Sequence, residues 1–92
     1  MRRAARVDAN QAAIVSALRA AGARVWVIGL PVDLLVGYRG GWMLMECKDG
    51  AKVPSAQKKT AVQEKFWADS EGLPRSLVDG PESALRHLGV IA

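Results

Sequence analysis

Gln11 and the apolar residues Ile14, Val15 and Leu18 recur at i, i+3, i+4 and i+7, which predicts a helix from Asp8 to about Ala21. Asp8 and Gln11 have the spacing of a capping box, and Gly22 stands where helices commonly stop. Arg24 to Ile28 is a short, mostly apolar run rich in strand formers. Gly29-Leu30-Pro31 breaks it. Val32 to Tyr38 and Trp42 to Lys48 then form two apolar runs around Arg39-Gly40-Gly41, a hairpin pattern. Asp49 to Pro54 has turn composition, and Ser55 is placed to cap a helix running to about Ser70, with Gly72 ending it. Pro74 to Val78 reads as an edge or terminal strand, since proline is tolerated at a strand start but not inside a central ladder. A last helix opens with Pro81 near its first position, turns Leu85 and Leu88 inward and stops at Gly89. The predicted order is αβββαβα, a small α/β domain.

Alternation along strands puts Asp33, Leu35 and Gly37 on one face, and Trp42, Leu44, Glu46 and Lys48 on one face. Whether these are the same face depends on the turn. A two-residue Arg39-Gly40 turn pairs Tyr38 with Gly41 and sets Asp33 directly opposite Glu46, with β-carbons about 4.5–5.5 Å apart. A three-residue turn opposes Asp33 to Cys47 instead, unless a bulge restores the register. In the first case two like charges face each other among apolar neighbours, an arrangement that needs compensation. Lys48 supplies part of it. Bound Mg²⁺ or Mn²⁺, which prefer hard oxygen ligands, would complete it, with the backbone carbonyl of Cys47 as a further ligand. The bland alternative is a salt bridge at the end of a hairpin.

With 92 residues, the chain has room for one domain spanning 1–92, with 1–7 as a basic N-terminal arm, and a core small enough that a homodimer is expected. Thirteen Lys and Arg against nine Asp and Glu give a net charge of +4, which favours an anionic partner. The cations cluster at Arg2, Arg3 and Arg6 and at Lys52, Lys58 and Lys59, positions suited to holding a nucleic-acid backbone without reading sequence. No apolar run approaches a membrane span and no secretory signal follows the first residues. A lone cysteine, Cys47, excludes an internal disulfide and a zinc cage, so a cytoplasmic location is expected. Trp26, Trp42 and Trp67 read more readily as core or dimer-contact residues than as base-stacking ones, and His87 as a cation at a helix end.

Pro31-Val32-Asp33 followed by Glu46-Cys47-Lys48 resembles the signature of PD-(D/E)XK nucleases. The helix before it, Leu34-Leu35-Val36-Gly37-Tyr38 after the aspartate, and Lys48-Asp49-Gly50 leading to a helix with Gln57 are similar to the stand-alone VRR-NUC proteins of phages and bacteria. The resemblance covers roughly Asp8 to Leu88. It implies a restriction-endonuclease-like core with a mixed central sheet flanked by helices, divalent-metal dependence, DNA hydrolysis, and a homodimer acting on branched DNA such as a Holliday junction. On that resemblance Asp33 and Glu46 are metal ligands, Lys48 orients or activates the attacking water, and Gln57 is the glutamine of the following helix. Gln11 stands where the family carries an acid. It either holds a metal-bound water or only closes the capping box with Asp8. The rival expectations are a DNA-binding module without cleavage activity and a basic protein that binds an acidic protein partner.

Overall fold

A computed structural model describes residues 9–48 and 60–92. The elements follow the order αβββαβα: α1 (Ala9–Ala20), β1 (Arg24–Val27), β2 (Leu34–Tyr38), β3 (Gly41–Cys47), α2 (Ala61–Asp69), β4 (Arg75–Val78) and α3 (Pro81–Leu88). The four strands form one mixed sheet in sequence order, with β1–β2 and β2–β3 antiparallel and β3–β4 parallel. The parallel pair follows from the long crossover between β3 and β4, since only an antiparallel pair can be closed by a tight turn. β4 lies at the sheet edge, and Pro74 immediately precedes its first residue, where no ladder donor is lost.

The β2–β3 connection is the two-residue turn. Tyr38 pairs with Gly41, and Arg39 and Gly40 both take positive φ, 50° and 82°. Positive φ at both central positions marks a type I′ turn, whose twist matches that of the flanking strands. Glycine takes that conformation without strain; Arg39 does so against its preference.

Each strand then presents alternate residues to two unlike faces. Val25, Leu34, Val36, Met45 and Val78 point to the face covered by α1 and α3, where they form the core with Ile14, Val15, Leu18 and Ala84. The helical stripe expected on α1 is the stripe that is buried. α3 contributes Ala84 fully and Leu85 and Leu88 partly. The opposite face carries Arg24, Trp26, Leu35, Gly37, Trp42, Leu44, Glu46, Arg75 and Leu77, and α2 covers only its β3–β4 side, through Gln63 and Trp67. No residue of α2 is fully buried.

Two expectations are corrected. The helix after β3 is capped by Thr60, not Ser55: Thr60 has extended backbone, its hydroxyl accepts from Gln63 N–H, and Gln63 Oε1 accepts from Thr60 N–H. This reciprocal pair satisfies two otherwise orphaned donors and so sets the first turn. Ser55 itself lies outside the described residues. Trp26 and Trp42 are not core: both lie on the half-open face, 48% and 61% exposed. Among the described residues no helix is long and apolar enough to cross a membrane.

Met45 lies at the centre of the sheet with no exposed surface. Met45→Ala is therefore expected to destabilise the fold by about 2–5 kcal/mol, the usual cost of truncating a fully buried large side chain. Urea denaturation monitored by circular dichroism measures it, whereas Val62→Ala on exposed α2 should change stability by less than about 1 kcal/mol.

Candidate active site

Asp33 stands one residue before β2, and Leu34 pairs with Met45, so one further step of the same register brings Asp33 across from Glu46. Its backbone carbonyl accepts from Ile28 N–H at 2.9 Å and Gly29 N–H at 3.3 Å, which anchors the bend to the end of β1. Its carboxylate is held from the other side, with Oδ2 accepting from Cys47 N–H at 2.8 Å. A bond from a main-chain amide to a carboxylate is short and charge-assisted, so Asp33 is fixed in position by the backbone next to Glu46. Cys47 turns its thiol side into the core packing, as alternation requires.

Glu46 is the buried acid of the site, only 6% exposed. Its Oε2 accepts from Gln63 Nε2 at 3.1 Å and lies 4.0 Å from Lys48 Nζ, a loose ion pair. Its Oε1 is buried and meets no hydrogen-bond donor among the described residues. Burial first, and then the negative charge of Asp33, push the Glu46 carboxyl above the usual range, with Lys48 pulling it back down.

Gln63 performs two functions at once. Its carbonyl end closes the α2 cap and its amide end holds Glu46, so the start of α2 is tied directly to the carboxylate. Gln57, expected in this helix, lies outside the described residues, and it is Gln63 that reaches Glu46. The signal was present in the sequence, because Thr60-Ala61-Val62-Gln63 has capping-box spacing. Asn10 is the second residue that sequence reasoning passed over. Its Nδ2 donates to the carbonyl of Lys48 at 2.6 Å and to that of Asp79 at 3.2 Å. Together with the bond from Lys48 N–H to the Val78 carbonyl, it joins the start of α1 to the ends of β3 and β4 at the lysine itself. Gln11 is half-buried and lines a cavity of about 400 Å³ with Ala12, Val15, Ser16, Arg19 and Val27. Arg2, Arg3, Arg6, Lys52, Lys58 and Lys59 lie outside the described residues, as does Asp8.

Two carboxylates, one of them with an undonated oxygen, form a hard-oxygen set suited to a divalent cation. Among the described residues no third His, Cys, Asp or Glu joins them. That number still fits magnesium, which typically binds through one or two carboxylates and completes its shell with water and phosphate oxygens. Comparison with protein-family models, with curated proteins and with solved structures returns no match. The function must be argued from the geometry.

The raised carboxyl of Glu46 has a thermodynamic consequence. A carboxyl whose folded pKa exceeds its unfolded value contributes stability below the unfolded value, and that contribution is lost as pH rises through the folded one. The Glu46 carboxyl is therefore expected to contribute stability in mild acid that is lost toward neutrality. Glu46→Gln should flatten this dependence and stabilise the metal-free chain near pH 7 by about 0.5–1 kcal/mol, through loss of the like-charge opposition. Urea denaturation of the wild type and Glu46→Gln at pH 5 and pH 7.5 in the presence of a chelator tests this; a wild-type protein that loses no stability relative to the variant at the higher pH contradicts it.

Proposed function

We propose that this chain is a divalent-metal-dependent nuclease of the PD-(D/E)XK type, with a restriction-endonuclease-like core, that hydrolyses phosphodiester bonds in DNA. The observation that carries the reading is the meeting of Asp33 and Glu46 across a two-residue hairpin, with Glu46 Oε1 lacking a donor among the described residues and Lys48 beside it. Such a cluster is poorly explained by stability alone, because a like-charged pair with one member buried destabilises the fold that holds it. The resemblance of Pro31-Val32-Asp33 and Glu46-Cys47-Lys48 to the nuclease signature, and the net charge of +4, agree with it.

In this reading Asp33, Glu46 and the Cys47 carbonyl would hold Mg²⁺ or Mn²⁺. When bound, the ion would supply Lewis-acid polarisation of the phosphate and a lowered pKa for water. Asp33 is held ready by Cys47 N–H, and Glu46 by Gln63. Lys48 places positive charge where negative charge develops on the phosphate and orients the attacking water. Asn10 keeps that lysine in place through its carbonyl. The basic residues Arg2, Arg3, Arg6, Lys52, Lys58 and Lys59 would hold the DNA backbone. Because one site of this kind cuts one strand, paired cuts on branched DNA would require a homodimer with two sites related by a dyad.

Asp33→Asn and Glu46→Gln are expected to reduce Mg²⁺-dependent DNA cleavage to background while leaving the circular dichroism spectrum unchanged. Lys48→Ala should lose about 10²–10³-fold in turnover but bind Mg²⁺ as the wild type does in calorimetry, since the lysine is not a ligand. Gln63→Ala should lose about 10–100-fold through misplacement of Glu46. Full cleavage by either carboxamide variant would reject the metal site, and wild-type DNA binding without cleavage under any divalent ion would leave a binding module.

A further inference from the structure

The half-open face of the sheet carries its side chains in three successive rows. The first row is Arg24, Gly37 and Trp42; the second is Trp26, Leu35, Leu44 and Arg75. The third is Asp33, Glu46 and Leu77. Along β1–β3 the face runs from the Arg24 guanidinium through the two indoles to the carboxylates, while Arg75 at the β4 edge stacks on Trp67 of α2. Rows two residues apart along a strand are separated by about 6.6 Å, so the first and third lie about 13 Å apart. This is roughly four base steps of a stacked strand at 3.4 Å each.

Trp26 and Trp42 are in contact, with ring centroids 5.6 Å apart and planes inclined at 39°. The glycine at position 37 permits this. A β-carbon there would come within 3.2 Å of the Trp42 ring, so the indole lies across the space that a side chain on β2 would fill. The rings are nonetheless 48% and 61% exposed, an unusual state for two adjacent tryptophans in a chain with so small a core. Arg24 and Arg39 flank Trp42 in a cleft of about 310 Å³ that also includes Tyr38, and Arg39 stacks over the Tyr38 ring at 5.2 Å.

We infer that the Trp26–Trp42 pair is a stacking platform for unpaired bases of a nucleic-acid strand, with Arg24 and Arg39 holding its phosphates, on the sheet face that leads to Asp33 and Glu46. Exposed aromatic rings beside cationic side chains are the two elements that bind single strands without reading their sequence. Charge complementarity selects this occupant over a second copy of the chain. Arg24 and Arg39 beside Trp42, in a chain of net charge +4, match a phosphate backbone, whereas a second copy related by a dyad would set the same arginines against each other. The platform rests on the nuclease reading and deepens it: the strand approaching the carboxylates is one whose bases are unpaired about two to four nucleotides away, as at a flap, a gap or a branch point.

The test uses the full chain in a chelator, with an oligothymidylate and a blunt duplex of equal length as probes. Oligothymidylate should quench the intrinsic tryptophan fluorescence of the wild type. Trp26→Ala and Trp42→Ala should each weaken oligothymidylate binding by about 5- to 100-fold and duplex binding by about twofold at most. Trp42→Phe, which keeps a ring, should stay within about threefold of the wild type, and it serves if an alanine variant fails to fold. Absence of quenching, equal losses on the two DNAs, or unchanged oligothymidylate affinity in both alanine variants overturns the platform. So does a fall from dimer to monomer mass in light scattering with DNA binding unchanged, which would make a second copy the occupant. Mg²⁺-dependent cleavage by the wild type, scored in parallel, separates the two readings. Quenching without cleavage rejects the catalytic reading alone, and cleavage without quenching rejects the platform alone.

Discussion

The mutual repulsion of Asp33 and Glu46 organises the groups around them. Opposed carboxylates across an antiparallel pair destabilise it, and burial of Glu46 makes the cost larger by removing the water that would screen its charge. Each neighbour relieves part of that strain. Cys47 N–H takes one Asp33 oxygen, Gln63 takes one Glu46 oxygen, and Lys48 Nζ stands 4.0 Å from that same Glu46 oxygen. The remaining Glu46 oxygen has no donor among the described residues. Relief is thus incomplete, and the structure tolerates a residual negative site at the edge of its core.

Such tolerance depends on a division of labour between the two sheet faces. The face beneath α1 and α3 buries Leu34, Val36, Met45 and Val78 in continuous apolar packing, and that packing fixes the strand register. A slip of one residue would turn this entire set outward, so the register that opposes Asp33 to Glu46 is enforced by hydrophobic burial on the far side of the sheet. The near face is free of that duty. It is covered only in part, by a helix none of whose own residues is fully buried, and carries polar and aromatic groups.

The hairpin itself was readable in the sequence, but its parity was not: Arg39-Gly40-Gly41 allows a two- or a three-residue turn, Arg39 takes positive φ against its preference, and the observed Tyr38–Gly41 pairing is what places both acids on one face. The order of elements was readable, as periodicity and turn residues are local signals. Two site residues were not seen. Thr60 and Gln63 form a recognisable capping box, yet Ser55 follows a turn-like segment and competes for the same role, and only the tertiary contact to Glu46 distinguishes a capping glutamine from a functional one. Asn10 is silent in sequence, since its partners are the carbonyls of Lys48 and Asp79, and any residue supplies a carbonyl. Of the core or dimer-contact roles expected for the tryptophans, the core role fails for Trp26 and Trp42, because nothing in the sequence states how much of a sheet face a short helix will cover.

These arrangements couple binding to stability in a defined direction. A ligand that binds the folded chain and not the unfolded one stabilises it by an amount set by its concentration relative to its dissociation constant, about 2.7 kcal/mol at a hundredfold excess. A small domain has modest stability to begin with, so an increment of that size is a large fraction of the whole. A cation at the carboxylates would cancel the repulsion that burial amplifies. It would also draw together β2, β3 and α2, the three elements whose side chains or backbone meet at Asp33 and Glu46. The same charge pair that weakens the fold would then favour filling of the site. On this view Gln63 is the natural point of transmission, because the bond that positions Glu46 and the bond that starts α2 belong to one side chain.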